Sequence, residues 1–250
     1  MNKLYFNNPI YITGDVHGLF TNLYEYLTYW SLNNIVLIVA GDCGIMNCTN
    51  WIELANLEFY CKNNNIDLLF IRGNHDDPKY FKNSVTWSTI RCIPDYTIIN
   101  DEILCVGGAT SIDRKIRIQR HLKGFEQTYF EDEQPYIDEN FFKELHNSNI
   151  RIKYVITHTC PSFCNYIGTH SITHWIENDP ELEFLLKNER QIMDEIFFRL
   201  NEEKHPLKHW IYGHFHSHNV NSHLTGDIKY TMLNALIDEY STPDIIELNN

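Results

Sequence analysis

Hydrophobic residues gather in short runs along the chain, each closed by a turn former. The runs are PIYIT near Ile10, NIVLIVA around Ile35, IDLLFI from Ile66, ILCVGGA from Ile103, KYVIT around Tyr154 and HWIY around Trp210. All are short, rich in β-branched or aromatic residues, and predict buried strands. Further strands are expected at TIIND and, in the tail, at KYTMLNA and DIIEL. Between the runs the apolar spacing turns helical. Phe20, Leu23, Tyr24 and Leu27 share one face, as do Trp51, Leu54, Leu57 and Cys61, with Asn50 placed to cap the second helix. Asp179-Pro180 predicts a helix start with Asp179 as N-cap; Leu182, Leu185, Leu186, Ile192, Met193, Ile196 and Leu200 continue it. Strands alternating with helices predict an α/β architecture with helices covering the sheets. Residues 111–149 break the rhythm and are expected to form an insertion or cap on a single domain spanning 1–250.

Composition narrows the picture. A chain of 250 residues with 43% hydrophobic and 21% charged residues can bury a sizeable core. No apolar stretch reaches the ~18 residues that a membrane span needs, and the N-terminus lacks signal-peptide features. A cytoplasmic protein without membrane partners is the expectation. The seven cysteines form no C-x-x-C pair and are expected to be reduced and mostly buried. A net charge of −13 disfavours general nucleic-acid binding, which needs Lys and Arg against phosphate. It leaves room for a small phosphorylated substrate, because bound cations invert the local potential.

The chemistry lies where the strands end. Gly14-Asp15-Val16-His17-Gly18 follows the first run, Gly41-Asp42-Cys43-Gly44 the second and Gly73-Asn74-His75-Asp76 the third. His158 follows the run at Tyr154, and Gly213-His214-Phe215-His216 the run at Trp210. In open α/β sheets ligands bind beyond the carboxyl ends of strands, so these residues can converge. Glycine before Asp or His permits a sharp exit and close backbone approach. Imidazole, carboxylate and amide oxygen together suit manganese, iron, zinc or nickel better than calcium. Seven such groups exceed one tetrahedral shell and suit two ions sharing a carboxylate, ~3.5–4 Å apart.

In this order the motifs GDVHG, GDCG, GNHD, His158 and GHFH resemble the signature of the calcineurin-like metallophosphoesterases. RGNHD and GGATSIDRKIR are similar to bacterial and phage members. The resemblance implies a four-layer α/β/β/α sandwich of two mixed sheets with a dinuclear metal site at the strand ends. It implies Asp15, His17 and His216 on one divalent or transition metal ion, Asn74, His158 and His214 on the other, and Asp42 bridging. It further implies a water between the ions that attacks phosphorus, with His75 as general acid beside the leaving oxygen. The expected activity is hydrolysis of a phosphodiester or small phosphate ester. Nucleic acid is possible but not favoured as a partner, and the oligomeric state is left open.

The second motif departs from that of the Ser/Thr protein phosphatases, which continue as GDxVDRG; here Gly41-Asp42-Cys43-Gly44 runs on to Ile45-Met46. That activity, and a non-catalytic scaffold that keeps the fold, are the alternatives. Arg114, Lys115, Arg117 and Arg120 form a basic cluster; Arg114 is the expected substrate contact, while the others fit an exposed helical face paired with nearby acids. Trp30, Trp51, Trp175 and Trp210 are expected in the core. His121, His170, His174 and His205 are expected at the surface or in caps, and His218 and His223 as bystanders. Phe215 should point away from the metals into packing.

Overall fold

The computed structural model describes residues 1–46, 49–164, 172–217, 221–236, 238 and 240–248, with backbone alone at 217 and 221–223. The bystander reading of His218 and the surface reading of His170 lie outside the described residues, as does the side chain of His223. Among the described residues twelve strands form two sheets. The smaller has five strands in the order β12 (Ile245–Glu247), β2 (Ile10–Thr13), β3 (Ile35–Val39), β4 (Ile66–Phe70) and β5 (Ile90–Cys92). The larger has seven: β1 (Asn2–Leu4), β6 (Thr97–Ile99), β7 (Ile103–Val106), β8 (Tyr154–Thr157), β9 (His209–Ser217), β11 (Ile228–Asn234) and β10 (Asn221–Thr225). Parallel and antiparallel pairs occur in both sheets.

Side-chain alternation along each strand builds the layers. In β3, Ile35, Leu37 and Val39 face one apolar cluster with α1 (Phe20–Tyr29) and α2 (Trp51–Asn63), whereas Val36 and Ile38 face another. In β7, Leu104 and Val106 point to α5 (Glu139–His146) and α7 (Leu182–Glu202), whereas Ile103 and Cys105 join Val36 and Ile38. The shared cluster lies between the sheets, so the order is helices, five-stranded sheet, seven-stranded sheet, helices. Both faces of both sheets are covered, which is why the central strands read as unbroken apolar runs.

Asn50 caps α2, accepting from the Glu53 backbone N–H. The long helix starts at Leu182 with Glu181 as its N-cap, later than expected; Asp179 still caps the turn before it, its Oδ1 accepting from the Glu181 N–H while both oxygens bind Arg114. Trp210 is buried and Trp175 half-buried, but Trp30 and Trp51 are 59% and 41% exposed: Trp30 follows the end of α1 and rests on Tyr26 and Tyr29, and Trp51 opens α2 beside Tyr80 and Trp87. His205 is buried rather than superficial, and its Nδ1 accepts from the Ile152 N–H. The described cysteines are all buried and free. Residues 111–149 carry α4 (Arg114–Leu122) and α5 between β7 and β8. No helix among the described residues is long and apolar enough to cross a membrane.

Candidate metal centre

The loops after β2, β3, β4, β8 and the kink within β9 meet at one edge shared by the two sheets. Asp15 and Asp42 are buried, Asn74 and His158 are buried, and His17, His75, His214 and His216 are partly so. Four of these residues leave the strands with left-handed backbone: φ is 51° at His17, 46° at Asp42, 72° at His214 and 47° at His216. Such values are uncommon outside glycine and cluster where function fixes a loop. The neighbouring glycines explain how the loops pack so closely. A Cβ on Gly213 would stand 2.1 Å from Asp15 Oδ1, one on Gly73 2.1 Å from Asp42 Oδ1, and one on Gly41 2.2 Å from His158 Nδ1. Each glycine therefore seats a functional side chain that belongs to a different motif.

Two groups of ligand atoms flank Asp42. On one side Asp15, His17, Asp42 and His216 offer atoms within 4.8 Å of one another. His17 Nε2 lies 3.1 Å from His216 Nε2, and His216 Nε2 lies 3.6 Å from Asp15 Oδ2. On the other side His158 Nε2 is 3.0 Å from Asn74 Oδ1 and 3.3 Å from Asp42 Oδ1. Atoms bound to one ion at about 2.0–2.2 Å stand roughly 3–3.6 Å apart, so both spacings fit a shared cation. His158 Nδ1 bonds the Ala40 carbonyl at 2.8 Å, which leaves Nε2 for a ligand. His214 brings its ring to 5.0 Å from that of His158, and its backbone N–H donates to Asp15.

A buried orphan atom tests the fit. Asp42 Oδ1 accepts from the His75 N–H at 2.7 Å, but Oδ2 is buried and has no hydrogen-bond partner. An unpartnered carboxylate oxygen in such a place is costly unless a cation meets it. Titration behaviour agrees. Burial lowers the affinity of His158 for a proton, yet Asp42 and Asp15 override it and push the ring up to about 10. The pocket thus concentrates negative charge that one imidazolium balances in the metal-free protein. Burial and repulsion by His158 hold His214 well below its ordinary value, so its ring is neutral and available as a donor of electrons.

His75 sits apart from the ligand groups. Its Nε2 is 3.9 Å from Asp42 Oδ2, and its ring meets His17 edge-on at 5.3 Å. Burial, opposed by Asp42 and reinforced by Arg117, pushes it down to about 4. A neutral ring still carries one N–H to donate. Arg117 from α4 reaches this ring, with Nη2 2.7 Å from His75 Nε2. Its guanidinium is fixed by Asp113 at 2.7 Å and by the Thr128 carbonyl at 3.1 Å. Arg114, by contrast, turns the other way: Nε and Nη2 bind Asp179 at 2.6 and 3.0 Å, and Nη2 also binds Glu181. Positions three apart on a helix are neighbours, so the two guanidinium groups are separated by their partners: acids at the start of α7 hold Arg114, while Asp113, Thr128 and His75 hold Arg117. Phe215 packs into the cluster under the seven-stranded sheet, beside Tyr212 and under Arg190.

Three further residues shape the site and carry no ligand role. Asp76 is fully buried and accepts from the N–H groups of Gly73, Cys43, Gly44 and Ile45, tying the second motif to the third. Its position next to His75 was the available signal. Ser111 and Glu133 are buried behind Asn74. Ser111 falls within GGATSIDRKIR; nothing in the local sequence marks Glu133.

The family model described as calcineurin-like phosphoesterase matches residues 8–218. No curated protein matches the chain. Several solved structures do. A protein serine/threonine phosphatase from Saccharomyces cerevisiae is 18% identical, covering 94% of this chain and 70% of its own, with a TM-score of 0.38. A cold-active protein-tyrosine phosphatase of a psychrophilic Shewanella is 12% identical over 100% of this chain and 78% of its own, with a TM-score of 0.46. A phosphopantetheinyl hydrolase from Mycobacterium tuberculosis is 10% identical, covering 91% and 90%, with a TM-score of 0.39.

Proposed function

The chain belongs to the calcineurin-like phosphoesterase family, and on that premise we propose that it is a phosphoric ester hydrolase that holds two divalent metal ions and acts on a phosphodiester or a small phosphate ester. The observation that carries this reading is Asp42. One of its oxygens faces the His158–Asn74 group, and the other is buried without a partner beside His17 and His75. In this reading Asp15, His17 and His216 hold one ion, Asn74, His158 and His214 hold the other, and Asp42 joins them. Such ions, manganese, iron, zinc or nickel, polarise phosphoryl oxygens and lower the pKa of water toward neutrality.

The remaining work falls to this chain's side chains. His75 lies outside both groups and is the candidate general acid; both its ring nitrogens lie within 2.9 Å of Arg117 Nη2, so a leaving oxygen would take its N–H in place of that contact. Arg117 is a fixed cation against His75 and supports a role in holding a non-bridging phosphate oxygen. The backbone of Ala40 keeps His158 in one tautomer, and Asp76 keeps the loops that carry Asp42 and Asn74 in register. Asp and Arg are absent after Gly44, so nothing in the second motif favours a phosphoprotein substrate.

The test is a screen of metal-reconstituted protein against mono- and diesters, cyclic nucleotides, dinucleoside polyphosphates and a phosphopeptide. Turnover of small esters is expected; turnover of the phosphopeptide alone would overturn the substrate class. His75→Ala should keep two ions by elemental analysis and lose about 100-fold or more in turnover of an unactivated ester. Asp42→Asn should lose metal and activity together, and full loading of that variant would reject the bridging role.

A further inference from the structure

Asn74 offers one oxygen and one nitrogen on a planar amide of nearly symmetric shape, and only the oxygen can bind a cation. Something must therefore choose which end faces the site. Asn74 Nδ2 donates to Ser111 Oγ at 3.0 Å. Ser111 Oγ in turn lies 2.7 Å from Glu133 Oε2, and the Ser111 N–H donates to Glu133 Oε1 at 2.7 Å. Ser111 and Glu133 are 1% and 2% exposed, so water cannot substitute for these contacts. A hydroxyl has one proton. Once Ser111 gives it to the Glu133 carboxylate, Oγ can only accept, and only the nitrogen end of Asn74 can satisfy it. The oxygen end is then turned to His158 Nε2, 3.0 Å away.

We propose that Ser111 and Glu133 are positioning residues of the metal centre: the one-way relay from Asn74 through Ser111 to Glu133 locks the amide oxygen of Asn74 toward the second ion. The proposal rests on the reading of Asn74 as a ligand of that ion. It also gives the segment between β7 and β8 a direct part in the centre, because Ser111 opens that segment and Glu133 lies between α4 and α5. Burial pushes the Glu133 carboxyl up to about 8 in the metal-free protein. Positive charge placed beyond Asn74 favours its ionised form, which is the form the relay uses. Cation and relay therefore support each other.

The test is a manganese titration of metal-stripped full-length protein, with stoichiometry from elemental analysis and affinities from calorimetry. Ser111→Ala and Glu133→Gln are each expected to keep the first ion and to bind the second about 10–100-fold more weakly. Asn74→Asp supplies two oxygens, for which orientation is immaterial. In that background Ser111→Ala should no longer weaken the second ion. If Ser111 served packing alone, the loss would be equal in both backgrounds, and that result would overturn the proposal. Wild-type affinity for the second ion in both Ser111→Ala and Glu133→Gln would overturn it too. A wild-type protein that binds fewer than two ions would instead refute the ligand reading beneath it, and the proposal with it.

Discussion

Arg117 is the residue whose environment departs furthest from its local sequence. Three cationic neighbours within one short helix suggest a solvated face, yet Arg117 is 8% exposed and its third anchor is a catalytic candidate. Arg117→Ala should leave metal content unchanged while raising KM for a small ester and weakening inhibition by inorganic phosphate. A lost charge-assisted hydrogen bond of about 1.5–3 kcal/mol corresponds to roughly 10-fold or more. Steady-state kinetics with phosphate as inhibitor measures this, and an unchanged inhibition constant would remove Arg117 from the phosphate. Glu133 permits a second residue-level test. Its carboxyl rises from 4.5 to about 8, with burial as the main cause. Between those values the unfolded chain has released a proton that the folded chain retains, so stability falls as pH rises. The contribution is fully present below about 4.5, declines through about 8, and amounts to a few kcal/mol at most. Thermal unfolding of metal-free protein across that range should show a shallower decline in Glu133→Gln.

At the scale of elements, α4 is held by two opposed sets of contacts. Arg117 faces the metal centre, and Arg114 bolts the helix to Asp179 and Glu181 at the start of α7. Arg114→Ala should therefore lower stability by about 1.5–3 kcal/mol, read as a lower midpoint in urea, while KM stays at its wild-type value. A raised KM with unchanged stability would restore Arg114 as a substrate contact. The elements also show what a single sequence discloses. β3 and β4 are legible because IVLIV and IDLLF are buried on both faces. β1 and β5 are three-residue edge pairings whose formation depends on a neighbouring strand more than on their own pattern. The Asp, His and Asn residues that converge were legible because each lies at a strand end, and Asp15, Asp42, Asn74 and His214 directly follow a glycine. Arg117 was read as part of an exposed face and Ser111 and Glu133 were given no role, because their meaning lies in contacts to His75, Asn74 and each other, 22 to 42 positions away in the chain.

For the whole molecule, the candidate centre gathers side chains from nearly every part of the fold, so ion binding should be felt globally. Chelation is expected to lower the thermal midpoint by roughly 5–10 °C, since a ligand at 100 times its Kd adds about 2.7 kcal/mol to a chain of this size. Calorimetry before and after metal removal checks it; an unchanged midpoint would mean that the ions do not distinguish folded from unfolded chain. The glycines sharpen that expectation. Gly213 makes room for Asp15, Gly73 for Asp42 and Gly41 for His158. The final place of each of these motifs therefore depends on a residue from another, and the motifs pack as one unit. Asp15 and His214, 199 positions apart, must come into register for that side of the centre to be complete. Metal uptake during refolding is then expected to report the meeting of these distant segments.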